Sequence, residues 1–173
     1  MSSPDPVPKP AALRRALAIA ALLFLGDGVW IAQGVLSMLV ALWAVFLGLP
    51  VALLARKYAG ARVRRLAALG IYLLAAVAVW TWIGTNNGIA RERAEGVIAA
   101  VKAFRADTGR YPASLDELVP RYLPEVPRAK YTLAFHEFTY RSSGNDAWLY
   151  YVALPPFGRP TYAFSSGKWG YLD

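Results

Sequence analysis

Two long stretches of this chain contain no charged residue and consist almost entirely of apolar side chains. Val35–Leu54 supplies 20 such residues and Leu66–Ile83 supplies 18. A helix that crosses a bilayer needs about 20 mostly apolar residues. In lipid, its backbone N–H and C=O groups are satisfied by the hydrogen bonds within the helix. The two stretches therefore predict an integral membrane protein, with membrane lipids as its first expected partners.

A third apolar segment precedes them, from about Leu13 to Ile31. It is weaker, because Arg14 and Arg15 lie at its start and Asp27 lies near its end. A charge at the bilayer centre costs roughly 2.5–3.5 kcal/mol on insertion scales and less near the interface. The segment can therefore span only with its charges at the two ends.

A cleavable signal peptide is the competing interpretation of this segment. The next apolar stretch follows so soon, however, that little room remains for a soluble N-terminus of the mature protein.

The basic residues predict the orientation of these spans. Of the net charge of +8, residues 1–85 carry +6 and residues 86–173 carry +2. The excess lies before the first span and between the second and third, which is the positive-inside pattern. We expect a flexible cytoplasmic tail (1–12), a three-span region (13–85) and a periplasmic domain (86–173) on a bacterial inner membrane. Because the charge lies beside the spans, it gives no support to nucleic-acid binding.

Asp27 lies between two glycines, in Gly26-Asp27-Gly28. Carboxylates within spans often have a function, so Asp27 is a candidate intramembrane functional residue. The alternative is an exposed loop or helix-end residue in a tight turn. That alternative is favoured because no basic residue at this depth of the spans could pair with the carboxylate.

From Asn86 onward the sequence is typical of a soluble domain. Apolar residues at helical spacing predict an amphipathic helix over about 89–106. The turn sequence Asp107-Thr108-Gly109 ends it. Gly88, with the two asparagines before it, either breaks or kinks the connection between this helix and the third span.

Alternating aromatic residues predict β-strands in the last part of the chain. Trp148 and Tyr150 share one strand face, and Gly-containing turns are expected at 142–146 and 165–167. The expected fold of the domain is α+β, with one helix packed on a small antiparallel meander. Twelve aromatic residues among the last 43 supply a core without disulfides.

The alternation changes phase near His136. Tyr131, Leu133 and Phe135 occupy odd positions, whereas the next aromatic residues, Phe138 and Tyr140, occupy even ones. A strand with a bulge or bend near His136 would explain this change. We therefore expect a structural position for the only histidine of the chain.

The end of the predicted helix and the residues after it resemble a known family. In Ala99–Val119, a helix leads into an acidic-Gly turn, then Tyr111-Pro112, then Ser114-Leu115-Asp116-Glu117-Leu118. This order is similar to the soluble head of type II secretion major pseudopilins and of type IV pilin-like proteins, over about 35 residues. The resemblance implies a pilin-like head and partners among pilins, pseudopilins or assembly components.

The chain also departs from that family. Ala75 stands where the family has the glutamate that supports polymerisation, and two further spans precede this helix. The calcium loop of the family is missing, since Asn145 and Asp146 alone cannot supply the six to eight oxygen ligands that calcium takes. These departures predict a permanent membrane anchor carrying a pseudopilin-like head, rather than a filament subunit.

Residues that could perform catalysis are scarce. The chain has no cysteine, and His136 has no evident nucleophile or orienting partner. Asp116 and Glu117 are adjacent carboxylates, but Ser114 and Glu117 have the spacing of a capping box, which explains them structurally. We therefore expect no enzyme activity, no cofactor and no metal.

The expected function is that of a non-enzymatic accessory or interaction component of a pilus or secretion system in the envelope. The alternative is a membrane-anchored immunity or sensor protein that binds a periplasmic partner, since the family's leader and glutamate are missing. The candidate partner surface comprises aromatic and basic residues of the predicted loops: Tyr111, Pro112, Arg121, Tyr122, Phe157 and Arg159.

Overall fold

The structure is a computed structural model that describes residues 10–54, 59–154 and 158–172. It divides into two compact units, Met1–Ile83 and Gly84–Asp173, which we call the N-terminal and C-terminal units. The helices are α1 (Pro10–Leu23), α2 (Val35–Trp43), α3 (Leu49–Leu54) and α4 (Ala59–Thr108), with π-helical segments at Phe24–Trp30 and Ala44–Gly48 and a 3-10 helix at Leu115–Leu118. The strands are β1 (Thr139–Ser143), β2 (Asp146–Tyr150), β3 (Arg159–Ala163) and β4 (Lys168–Leu172).

Small residues allow the helices of the N-terminal unit to approach closely. A Cβ atom added to Gly48 would lie 2.6 Å from Cδ2 of Leu69. One added to Gly34 would lie 2.8 Å from the Trp80 ring, and Gly34 also has a left-handed backbone, with φ of 70°. Small side chains at such contacts let helix backbones pack without large interdigitating groups. The N-terminal unit is therefore a packed helical bundle.

Two helices are long and apolar enough to cross a membrane. They are Val35–Leu54 and Gly60–Thr108, and only 17% and 22% of their most apolar windows are buried. The core helix of a soluble protein would be mostly buried, so the apolar windows of these two helices differ from core segments of that kind. Among the described residues no third helix meets both criteria, and the segment with Arg14, Arg15 and Asp27 is not shown to span.

α4 is a continuous helix of 50 residues. It includes the helix predicted over 89–106 and passes through Gly88 without interruption. Of the two alternatives for Gly88, a break or a kink, the break is therefore wrong. The helix ends at Gly109, which has φ of 76° and donates its N–H to the carbonyl oxygen of Arg105 (2.9 Å). A left-handed glycine after the last turn is a common helix C-terminus.

The C-terminal unit is α+β, as predicted. Its four strands form one antiparallel meander in the order β1-β2-β3-β4. The last turns of α4 and the inner side of the sheet share one hydrophobic core, in which Val97, Val101 and Leu149 are fully buried. The segment with the capping-box spacing forms only the four-residue 3-10 helix Leu115–Leu118, and Ser114 makes no side-chain capping bond to it.

The segment Tyr131–Phe135 is not a strand, contrary to the phase-change prediction. It lies in a loop that closes where the carbonyl oxygen of His136 accepts hydrogen bonds from the N–H groups of Ala129 (2.7 Å) and Lys130 (3.3 Å). The odd-numbered apolar side chains of this loop are exposed. The alternation therefore reflects a loop with alternating burial, and no bulged strand.

Candidate functional site

The outward side of the sheet carries an open groove of about 460 Å³. Strand β2 alternates across the sheet, so that Ala147 and Leu149 are buried against the core while Trp148 and Tyr150 face the groove. Trp148 pairs with Ala163, and Tyr150 pairs with Thr161. We call this feature the sheet groove; it is lined by Arg141, Trp148, Tyr150, Thr161, Ala163, Ser166, Lys168, Trp169, Gly170, Tyr171 and Leu172.

Strand register explains the shape and charge of the sheet groove. Thr161 pairs with Gly170, so small residues form part of its floor beside the Trp148 and Tyr150 rings. Arg141 pairs with Trp148 on one side, and Lys168 lies on the other. None of the lining residues is acidic. Aromatic rings next to cations suit a partner with apolar and acidic groups.

Strand β4 forms one edge of the sheet. Its Tyr171 and Leu172 side chains are exposed (73% and 49%). The strand is held to α4 by Trp169, whose Nε1 donates to Glu95 (3.2 Å) and whose ring lies 3.5 Å below the Arg91 guanidinium. In the described part of the chain β4 pairs only with β3, so its outer backbone can accept a strand from a partner.

Two residues of the predicted partner surface are buried instead. Tyr111 is 6% exposed and Pro112 is fully buried. The Tyr111 ring packs on Phe164 (5.7 Å between ring centroids) and lies under the Arg105 guanidinium, which donates to its hydroxyl. The prediction that these two form a surface is therefore wrong, because the Tyr-Pro segment folds inward and completes the core.

The other predicted surface residues lie on separate elements. Arg121 and Tyr122 both bond to one carboxylate oxygen of Asp107, at 3.0 Å and 2.8 Å, and so join the loop to the end of α4. The Arg121 side chain is 74% exposed. Arg159 is exposed at the start of β3, and Phe157 lies outside the described residues. Arg121 and Arg159 thus remain accessible, while Tyr122 has a structural contact.

Asp27 lies in the π-helical segment Phe24–Trp30, and its buried carboxylate reaches the start of α2. It is 2% exposed, and its Oδ2 accepts the backbone N–H of Ser37 (2.7 Å). Ser37 is the third residue of α2, and its hydroxyl donates to the carbonyl oxygen of Gly34 (2.9 Å). A carboxylate bonded to a first-turn N–H caps a helix and complements its dipole. Asp27 is therefore neither in an exposed loop nor in a helix-end turn, because it lies within a π-helical segment and its carboxylate caps the neighbouring helix.

The carboxylate and imidazole groups considered for catalysis have structural contacts. Glu117 bonds to Arg110 (2.9 Å) and accepts the N–H of Ala113 (3.0 Å). The Ala113 N–H, followed by Arg110, lowers the pKa of the Glu117 carboxyl. Nδ1 of His136 lies 3.0 Å from the carbonyl oxygen of Leu133. Within the described ranges no three His, Cys, Asp or Glu side chains are grouped so that they could hold a metal ion.

Lys130 is a notable residue that the sequence did not indicate. Its side chain is 1% exposed, and Nζ donates to the carbonyl oxygen of Ala153 (3.0 Å). Burial lowers the pKa of its ammonium group to about 8. Nothing in the sequence distinguishes it from other lysines, because its burial arises from contacts with residues about 20 positions away.

No family model, no curated protein and no solved structure matches this chain. The resemblance to pseudopilin heads therefore stays a prediction from the residues themselves.

Proposed function

We propose that this chain is a non-enzymatic membrane protein that presents its C-terminal unit to a partner protein. The observation that carries the proposal is the distribution of exposed large apolar side chains. Of those found among the described residues, 23 lie between Leu17 and Trp80 and only six lie in the C-terminal unit. A soluble protein rarely exposes so much contiguous apolar surface, whereas a bilayer would cover it.

The proposed arrangement has three spans in a bacterial inner membrane. The N-terminus is cytoplasmic and the C-terminal unit is periplasmic. The basic residues before the first span and between the second and third support this orientation. Asp27 is compatible with it, because its carboxylate is bonded at a helix terminus rather than exposed to lipid.

We further propose that the partner belongs to a pilus or secretion system of the envelope. The pseudopilin-like sequence of Ala99–Val119 supports this, as does a continuous α4 that leads from an apolar segment into the C-terminal unit. Ala75, in place of the family's glutamate, favours an accessory that docks on filament components over a subunit that polymerises.

The sheet groove is the proposed contact surface. It combines four aromatic residues, two cations and a neighbouring strand edge, and these are the features of a site for an extended or acidic segment of a protein. Arg159, at the start of β3, pairs with Leu172 of the groove and can extend the cationic surface.

Photocrosslinking in cells tests the surface. Benzoylphenylalanine replaces Trp148 within the groove, and in a control variant it replaces Asn145 in the exposed β1–β2 turn. We expect a crosslinked envelope protein from position 148 and little or none from position 145. Equal capture from both positions would contradict the groove as the docking site. The pilus or secretion assignment would be contradicted if deletion of the gene left piliation and secretion unchanged and the crosslinked protein belonged to neither a pilus nor a secretion system.

A second candidate function rests on Ala75. The missing glutamate favours reuse of the domain outside filaments, as a membrane-anchored immunity or sensor protein for a periplasmic partner. A toxin-challenge assay discriminates this candidate, since an immunity protein restores growth when its toxin is supplied. Capture of a toxin from position 148, rather than a pilin, would favour it directly.

A further inference from the structure

The loop Ala129–His136 displays a concentrated set of apolar side chains. Tyr131, Leu133 and Phe135 are 58%, 68% and 49% exposed. They are three of the six large apolar side chains that the described C-terminal unit exposes, and they lie within five consecutive residues. Exposed apolar side chains that are clustered in this way are typical of interaction sites, in contrast to residues scattered singly over a surface.

The loop is held so that these side chains point away from the core. Thr132, between them, is 5% exposed, and its hydroxyl donates to the carbonyl oxygen of Ala134 (2.8 Å). Lys130 is buried and bonded to Ala153. Phe135 has φ of 55°, a backbone conformation that bulky residues seldom adopt. A glycine would meet that backbone requirement more easily, so an exposed ring at this position indicates that the ring itself has a use.

The loop is also bonded to α4 at a particular place. The N–H of Tyr131 donates to Oδ1 of Asn86 (2.9 Å). Asn86 belongs to the stretch Leu66–Ala90, which contains no charged residue. A hydrocarbon core about 30 Å thick takes about 20 helical residues. Counted from Leu66, these end next to Asn86, where the outer interface of the bilayer is expected.

Arg93 supports the same location for the loop. Its guanidinium lies 4.3 Å from the centre of the Tyr131 ring and donates to the carbonyl oxygen of Arg128 (2.8 Å). An aromatic ring with a cation beside it suits the headgroup region, where the ring contacts acyl chains and the cation contacts phosphate.

We propose that the 129–136 loop inserts Tyr131, Leu133 and Phe135 into the outer interface of the bilayer that holds the spans. This inference rests on the membrane anchoring in the proposed function. The loop is a second membrane contact of the C-terminal unit, in addition to α4. It limits the orientations that the sheet groove can adopt above the membrane.

Site-directed fluorescence tests the loop in the full chain. Because the chain has no cysteine, single-cysteine variants can be labelled uniquely. Leu133→Cys carries an environment-sensitive dye in lipid nanodiscs, and Phe135→Cys serves as a second position in case the first variant does not fold. Leu74→Cys, 71% exposed on α4, marks the expected membrane interior, and Asn145→Cys marks the aqueous phase. Lipids with a nitroxide near the headgroup or near the chain end act as quenchers, and iodide acts as the aqueous quencher.

The four label positions separate the possible results. We expect dye at position 133 to lose emission mainly with the shallow nitroxide, at 74 mainly with the deep nitroxide, and at 145 mainly with iodide. If the deep nitroxide quenches dye at position 74 while iodide quenches dye at positions 133 and 135, the loop proposal is overturned but membrane anchoring by the spans is supported. Iodide quenching at 74 overturns membrane anchoring, and the loop proposal with it. Capture of a crosslinked protein from position 133 with no lipid quenching there would assign the loop to a protein partner instead.

Discussion

Lys130 illustrates how one residue can couple the stability of the C-terminal unit to pH. Its ammonium group is buried, bonded to a single carbonyl oxygen and 5.9 Å from the centre of the Tyr151 ring, and no described carboxylate lies within 4 Å of it. Burial lowers its pKa from 10.5 to about 8. Between these two values the unfolded chain binds more protons than the folded chain. Linkage then requires that stability rises as pH rises from about 8 towards 10.

The substitution Lys130→Met removes this dependence. Below pH 8 the charged amine is buried at a cost, so we expect the variant to be more stable than the parent by up to about 3 kcal/mol at pH 7. The difference should shrink as pH rises from 8 to 10, because the parent amine loses its proton. Thermal unfolding in detergent, followed by near-ultraviolet circular dichroism at several pH values, measures it.

Lys168→Met is the matched control for that substitution. Lys168 is exposed on β4, so its replacement should change stability little and without a slope between pH 8 and 10. Burial raises the pKa of Tyr140 to about 12 and that of Tyr151 above its usual value. Both variants keep these tyrosines, so comparison between them removes the contribution of tyrosine ionisation to the pH dependence. A constant difference between Lys130→Met and the parent across this range would contradict the assignment.

At the scale of elements, periodic patterns predicted more than single residues did. The apolar run Leu66–Ile83 and the helical spacing after Ile89 both lie within α4. The predicted shared face of Trp148 and Tyr150 is found in the sheet groove. Of the two alternatives at Gly88, the break was wrong, because one glycine costs a helix only about 1 kcal/mol, less than the flanking helical residues contribute. A breaker residue alone therefore does not end a helix.

The 129–136 loop shows where a pattern misleads. Tyr131, Leu133 and Phe135 alternate like a strand, but alternation does not specify which group accepts the backbone hydrogen bonds. The N–H of Tyr131 bonds to the side chain of Asn86, 45 positions earlier, instead of a neighbouring strand. Contacts over such distances also bury Tyr111 and Lys130, and no local pattern in the sequence indicates them.

Two glycines of the C-terminal unit should respond oppositely to replacement by alanine. Gly88 lies within α4 with no atom within 4 Å of an added Cβ, so Gly88→Ala should stabilise the unit by about 0.5–1 kcal/mol through helix propensity. Gly109 has φ of 76°, so Gly109→Ala should destabilise it by about 1–2 kcal/mol. Urea unfolding in detergent measures both. Destabilisation by Gly88→Ala would indicate that α4 is interrupted there.

At the scale of the whole molecule, the two units differ in how they treat apolar side chains. The N-terminal unit exposes most of its large apolar residues and buries small ones such as Ala44 and Ala52. The C-terminal unit instead buries six aromatic residues in one core. This contrast follows from the solvent that each unit is expected to contact. Apolar side chains can face lipid, and helices in lipid associate through close packing at small residues.

The number of spans decides on which side of the membrane the N-terminal tail lies. With three spans, the tail and the C-terminal unit lie on opposite sides. With only Val35–Leu54 and α4 crossing, both lie on the same side, because the basic link between them stays cytoplasmic. Asp27 bears on the choice between the two arrangements, because a first span would have to place its carboxylate in the bilayer. The hydrogen bond from Ser37 lowers the free-energy cost of burying that carboxylate, which favours three spans.

Labelling of single cysteines in spheroplasts with a maleimide that cannot cross the membrane measures the arrangement. For three spans we expect Asn145→Cys to react in intact spheroplasts and Ser3→Cys to react only after lysis. Reaction of both in intact spheroplasts would show two spans, with α1 outside the bilayer core. Protection of Asn145→Cys until lysis would reverse the orientation and contradict the periplasmic location of the sheet groove. Since Asn145 is exposed in the β1–β2 turn, such protection could not be attributed to burial in the fold.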